Sequence, residues 1–118
     1  MAIRVKRIYD KAEASDGFRV LVDRLWPRGV AKAKAQLDLW LKDIAPSDAL
    51  RHRFHDAPGK WNDFAKAYAK ELKAPEAQAA VKILREKLHD GPVTLLYAAR
   101  DVEHNNAVAL KAWLEDHG

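Results

Sequence analysis

Apolar and charged positions alternate at the start of the chain and shift to a helical spacing in its second half. In residues 3–9, Ile3 and Val5 alternate with charged residues before Ile8, a period of two that predicts a strand with one wet face at a sheet edge. Residues 10–17 are polar and end in Asp16-Gly17, a turn signal. Residues 18–25 are β-branched and apolar through their middle, as in a buried strand that must stop near Trp26-Pro27-Arg28-Gly29. In residues 30–45, Ala31 to Gln36 has a helix-forming composition, whereas Leu37, Leu39 and Leu41 alternate like a strand. We read a short helix followed by a short strand or extended stretch around 38–43.

Ser47 then predicts the N-cap of a helix over about 48–55, with Asp48 favourably placed in its first turn. Two longer helices follow. Trp61, Phe64, Ala65, Tyr68 and Leu72 form one apolar stripe in 60–73, and Ala77, Ala80, Val81, Leu84 and Leu88 repeat the spacing in 76–89. Residues 93–99 are a nearly continuous apolar run, the pattern of a central strand buried on both faces. A final helix is expected over 102–116, with Ala107, Leu110 and Leu114 on one side. This order predicts an α/β fold: a single-domain layered structure over 1–118, with a small, largely parallel sheet flanked by helices. The connection 10–17 is short for a helical crossover, so the first two strands are expected to form an antiparallel pair.

Composition narrows the chemistry more than the fold. The 118 residues contain no cysteine, which removes disulfides, thiolate nucleophiles and thiolate metal sites. No apolar run approaches the roughly 20 residues that cross a bilayer, and the first residues lack the apolar core of a signal peptide. No membrane association and a cytoplasmic location are therefore expected. The net charge is +4, and the excess lies wholly in residues 1–59, which carry 12 basic and 8 acidic side chains. Such a bias attracts phosphates or carboxylates and permits contact with nucleic acid.

A site follows from sheet geometry. In open α/β sheets, ligands gather beyond the carboxyl ends of parallel strands. Two segments leave the expected central strands there, 23–29 and 100–106. Together they bring Asp23, Arg24, Trp26, Arg28, Arg100, Asp101, His104 and Asn105 to one rim. Arg24, Arg28 and Arg100 suit a phosphate or carboxylate, and the expected helix N-terminus reinforces them. His104 suits proton transfer, oriented by Asp101 or Asp23. Asn105 and Trp26 add a polar contact and a stacking surface.

Each residue also has a plain structural role open to it: Asp101 as a helix cap, Asp23 and Arg24 as an ion pair, Trp26, Trp61 and Tyr68 as core. His52 and His55 fall three apart on a short helix without further ligands, so no metal is expected. There is no Gly-rich phosphate loop, and the two serines do not suggest a triad, so no cofactor is expected either.

Several blocks resemble the YeaO-like branch of the DUF488 domain family: Arg19-Val20-Leu21-Val22-Asp23-Arg24-Leu25-Trp26-Pro27-Arg28-Gly29, Trp40-Leu41-Lys42-Asp43-Ile44-Ala45-Pro46-Ser47, and Leu96-Tyr97-Ala98-Ala99-Arg100-Asp101 with His104-Asn105. Leu50-Arg51, Phe54-His55, Trp61, Phe64, Tyr68 and Glu71-Leu72 continue the resemblance over nearly the whole chain. It implies a small bacterial cytoplasmic α/β protein of uncharacterised function, with no established catalytic residues. Broader relatives carry Cys and His in the segment matching 97–105. Here that segment has no Cys, so a thiol- or metal-based role is not implied. Lys42, Arg51, His55 and Glu71 are further polar members, and Lys42 and His55 are expected to face the cleft if 38–55 packs beside the second strand.

The leading expectation is an enzyme or ligand-binding protein with an anion-holding cleft and a small anionic ligand as partner. The alternatives are a nucleic-acid-binding module and a structural or partner-binding protein without catalysis. The pattern specifies no oligomeric state.

Overall fold

The computed structural model describes residues 2–54 and 58–117. Among them β1 (Ile3–Arg7), β2 (Phe18–Leu21), β3 (Leu39–Trp40) and β4 (Val93–Tyr97) form one sheet in the order β1-β4-β2-β3. All its pairings are parallel. Leu95 of β4 is flanked by Val5 on one side and Val20 on the other, and all five β4 residues are buried, as their apolar run predicts.

The expected antiparallel pairing of the first two strands is therefore wrong: both run parallel to β4, which lies between them. Residues 8–17 carry the chain back across the sheet with only a turn of 3-10 helix at Ala14–Asp16. Buried polar contacts hold this bare crossover. Arg4, Thr94 and Arg19 lie in one row across the strands. The Thr94 hydroxyl donates to the Asp16 carbonyl at 2.7 Å. The fully buried Asp16 carboxylate accepts from Lys6 Nζ at 3.0 Å, from the Glu13 amide at 3.0 Å and from the Arg19 guanidinium. Burial opposes the charge on Asp16, but these donors outweigh it and hold the carboxyl below its ordinary range.

Gly17 closes the crossover at φ 67°, where a Cβ would stand 2.3 Å from the Pro92 carbonyl oxygen. That same oxygen accepts the Phe18 amide at 3.0 Å. Glycine is thus required here by space as well as by backbone angle.

One face of the sheet carries α3 (Trp61–Glu71), α4 (Pro75–Asp90) and α5 (Asn106–Asp116). Their stripes bury Tyr68, Leu84, Leu110 and Leu114 against Val20, Val93 and Leu95. The opposite face has a smaller apolar cluster in which Ile8, Leu21 and Leu96 meet Ala35 from the short α1 (Lys32–Ala35). Ser47 caps α2 (Asp48–Phe54), accepting the Leu50 amide at 3.1 Å, while Glu71 accepts the Ser47 amide at 2.8 Å and its hydroxyl proton. The buried Tyr68 hydroxyl donates to the Ile44 carbonyl, so α3 holds the segment leading into α2. Among the described residues no helix is long and apolar enough to cross a membrane.

Candidate functional site

At the carboxyl ends of β2 and β4 lies a cleft of about 850 Å³. Asp23, Arg24, Trp26, Arg28, Arg100, Asp101, His104 and Asn105 all line it. The two segments are neighbours because β2 and β4 pair directly. The Val22 amide still donates to the Leu96 carbonyl at 3.1 Å, and one residue later the Ala98 amide donates to Asp23 Oδ2 at 2.9 Å.

Asp23 is the hub of the cleft floor. Its other oxygen accepts from Asn106 Nδ2 at 3.0 Å. Burial pushes its carboxyl above the ordinary value, and the Asn106 amide, the Ala98 N–H and the Arg51 charge counter only part of this. Asp23 and Arg24 do not form the anticipated ion pair. Arg24 reaches the other way and donates to the carbonyls of Ala45, at 3.0 Å, and Pro46, at 3.3 Å. Asp23 and Arg24 both lie beyond the last residue of β2, where Asp23 turns to Ala98 and Asn106 and Arg24 to the 45–46 segment.

The rim segment 100–106 also departs from expectation. The last helix starts at Asn106, not at 102, and its cap is Asn105, whose side chain accepts the Val108 amide at 2.9 Å. Asp101 instead accepts the amides of Glu103 and His104 at 2.9 and 3.0 Å, closing a tight turn ahead of the helix. Those two N–H groups hold its carboxyl below the ordinary range. The second oxygen of Asp101 lies 3.3 Å from His104 Nδ1, so Asp101 orients this imidazole. Asn105 is nearly buried, and its Nδ2 donates to the Asp101 carbonyl at 2.9 Å, so both ends of its amide serve the turn and the helix. Trp26 is half-buried on the smaller apolar cluster, with its indole N–H on the Val30 carbonyl at 2.7 Å.

Apart from Arg51 and the residues of segments 23–29 and 100–106, the other lining residues were not anticipated. Tyr9 enters from the end of β1, and its hydroxyl donates to the Arg28 carbonyl at 2.9 Å. Beside it Arg7 donates from Nε to the Ala99 carbonyl at 3.0 Å. The end of β1 thus clamps both rim segments. The strand-end rule that located the rim would have included 7–9 had β1 been read as parallel. Arg51, Phe54, Lys60, Trp61, Phe64 and Asn106 complete the far wall with Ala45 and Pro46. Trp61 and Phe64 belong to the apolar stripe of α3, but one side of each faces the cleft. Lys42 does not reach the cleft; its ammonium sits over the Trp40 ring at 4.2 Å. His55 lies outside the described residues, and His52 is exposed, with Nδ1 2.8 Å from the Asp48 carbonyl oxygen. Among the described residues no group of His, Cys, Asp or Glu is placed to hold a metal ion.

A family model described as the inactive DUF488-N3 subclade matches residues 2–117. The uncharacterised protein YeaO of Escherichia coli (strain K12) is 45% identical over 114 residues, covering 97% of each chain. The uncharacterised proteins Mb3100c of Mycobacterium bovis and Rv3073c of Mycobacterium tuberculosis are each 39% identical over 108 residues, 92% of this chain and 89% of theirs. No solved structure matches the chain. With a family match over nearly its full length and relatives aligned end to end, this chain belongs to the DUF488 family, on its YeaO-like branch.

Proposed function

We propose that this protein binds a small phosphate- or carboxylate-bearing molecule in the strand-end cleft. The observation that carries the reading is the charge of the lining. Among the described residues five cations, Arg24, Arg28, Arg51, Lys60 and Arg100, line the cleft with two carboxylates, Asp23 and Asp101, a surplus of three positive charges. Guanidinium groups offer forked donors that match the oxygens of phosphate or carboxylate. A concave site also focuses such a field. Arg28 and Arg100 are exposed, and among the described residues neither is salt-bridged to a carboxylate. The N-terminus of α5 opens on the same wall and adds a favourable dipole.

The description of the matching family model, an inactive subclade, supports holding a ligand over converting it. His104, oriented by Asp101, is then a ligand contact and not a general base. Isothermal titration against phosphate- and carboxylate-bearing metabolites tests the reading. The expected result is saturable binding that weakens with salt and falls about tenfold in Arg28→Ala and in Arg100→Ala, the size of a lost charged hydrogen bond. Affinities unchanged in both variants, or no binding of any such compound, overturn it.

A further inference from the structure

The cations in the cleft stand beside a continuous wall of rings. Phe54 of α2 packs edge-on against Phe64 with centroids 5.9 Å apart. Phe64 stacks on Trp61 at 5.6 Å and 21°, and Trp61 meets His104 edge-on at 5.2 Å. All four rings line the cleft. The inner sides of Phe54, Phe64 and Trp61 pack on the main core, and each is only half-buried, while His104 is exposed. A half-buried aromatic wall presents π surface that water solvates poorly. Charges are interleaved with it in sequence. Arg51 precedes Phe54 by one helical turn, Lys60 adjoins Trp61, and Arg100 precedes the His104 turn.

A site for a bare inorganic anion needs donors and no such wall. We infer that the ligand carries a planar aromatic ring joined to its anionic group, with the ring against Trp61 and His104 and the anion on the arginines. The anionic half rests on the reading above; the ring half stands on the aromatic wall alone. A cleft of about 850 Å³ accommodates a ligand with both parts. A nucleotide is the simplest such chemistry, whether free or as one unit of a single strand.

The test is isothermal titration of the full chain with inorganic phosphate, ribose 5-phosphate, phenyl phosphate, AMP and adenosine. Phenyl phosphate and AMP are expected to bind about tenfold tighter than ribose 5-phosphate, the worth of one ring stacked on an aromatic side chain. Trp61→Leu and His104→Ala should each weaken phenyl phosphate and AMP more than ribose 5-phosphate, so that the ratio shrinks towards one, and Trp61→Phe should restore it. His104 is exposed, so its variant keeps the test open if Trp61→Leu melts early. Equal affinity for ribose 5-phosphate and phenyl phosphate, with both dependent on Arg100, overturns the ring and leaves the anion reading standing. Binding of adenosine without any phosphate dependence does the reverse. If none of the five binds, both fall. A short single-stranded oligonucleotide separates the sources: tighter binding than AMP assigns the ring and phosphate to nucleic acid, and equal or weaker binding assigns them to a free molecule.

Discussion

Asn106 Nδ2 lies 3.0 Å from Asp23 Oδ1 and 2.9 Å from the Val22 carbonyl oxygen, so the first residue of α5 is fastened to the end of β2 across 83 positions of sequence. This amide joins the Ala98 N–H bond to Asp23 and the β2–β4 pairing in holding the two halves of the cleft together. It also supplies one of the hydrogen bonds that let a carboxylate remain in a half-buried position.

Replacing Asn106 with Ala should therefore act on stability and on the cleft together. It leaves Asp23 and the Val22 carbonyl each short of a donor, at a cost of about 1–3 kcal/mol. Urea unfolding measures the loss. Ligand affinity should fall in the same variant, because the start of α5 loses its direct tie to Asp23 on the cleft floor. An unchanged midpoint would show that water replaces the amide at no cost.

Asp16 should be the most sensitive acidic residue in the fold. Removing it in Asp16→Ala leaves Lys6 and Arg19 partly buried and short of their shared partner, and breaking a buried pair in this way typically costs about 3–5 kcal/mol. The folded carboxyl titrates below its ordinary 3.8, so its contribution is complete above that value and is lost as pH falls through the lower folded value. Wild type should lose stability steeply below about pH 4, and the variant should be weaker at pH 7 with a shallower acid limb. Denaturant titrations from pH 7 downward compare the two.

Two glycines at positive φ should respond differently to alanine. At Gly17 a Cβ meets the Pro92 backbone, which cannot step aside without breaking the sheet, so Gly17→Ala should cost at least about 2 kcal/mol. At Gly29, φ 78°, a Cβ has open space around it, and only the angle is unfavourable, about 1 kcal/mol. Paired thermal melts would show the order, and equal shifts would contradict it.

Tyr68 and Tyr97 are both buried, and burial raises their phenols above the ordinary 10.0. An acid retained in its protonated form by folding favours unfolding once pH exceeds its unfolded value. Absorbance titration should show these two phenols silent until the chain begins to unfold in alkali. Tyr68→Phe should keep the packing yet cost about 1–2 kcal/mol, since the Ile44 carbonyl loses its donor.

Periodicity made the helices and the central strand legible, because an apolar stripe at helical spacing or an unbroken apolar run has few other ways to be buried. It failed at the crossover 8–17. Nothing in the spacing of polar residues says that Asp16 is buried, and that burial, with its partners in β1 and β2, is what permits a parallel return without a helix. The same gap hid Tyr9 from the cleft and Arg7 from its place beside it. Around Asp101 two capping residues compete four positions apart, and the sequence does not say which begins the helix. The geometry decides it, since Asp101 closes the preceding turn and Asn105 takes the helix amides. Trp61 reads as core because a stripe records that a side chain is partly covered, not which side remains open.

The outer strands of the sheet have a consequence for crowded solutions. One rim is a strand whose five residues include Arg4, Lys6 and Arg7; the other is only two residues long. A neighbouring molecule that tries to extend such a sheet meets like charges along one border and almost no exposed ladder along the other. Concentrated samples should resist strand-by-strand aggregation, and that protection comes from the same basic residues that help to anchor the crossover and the cleft.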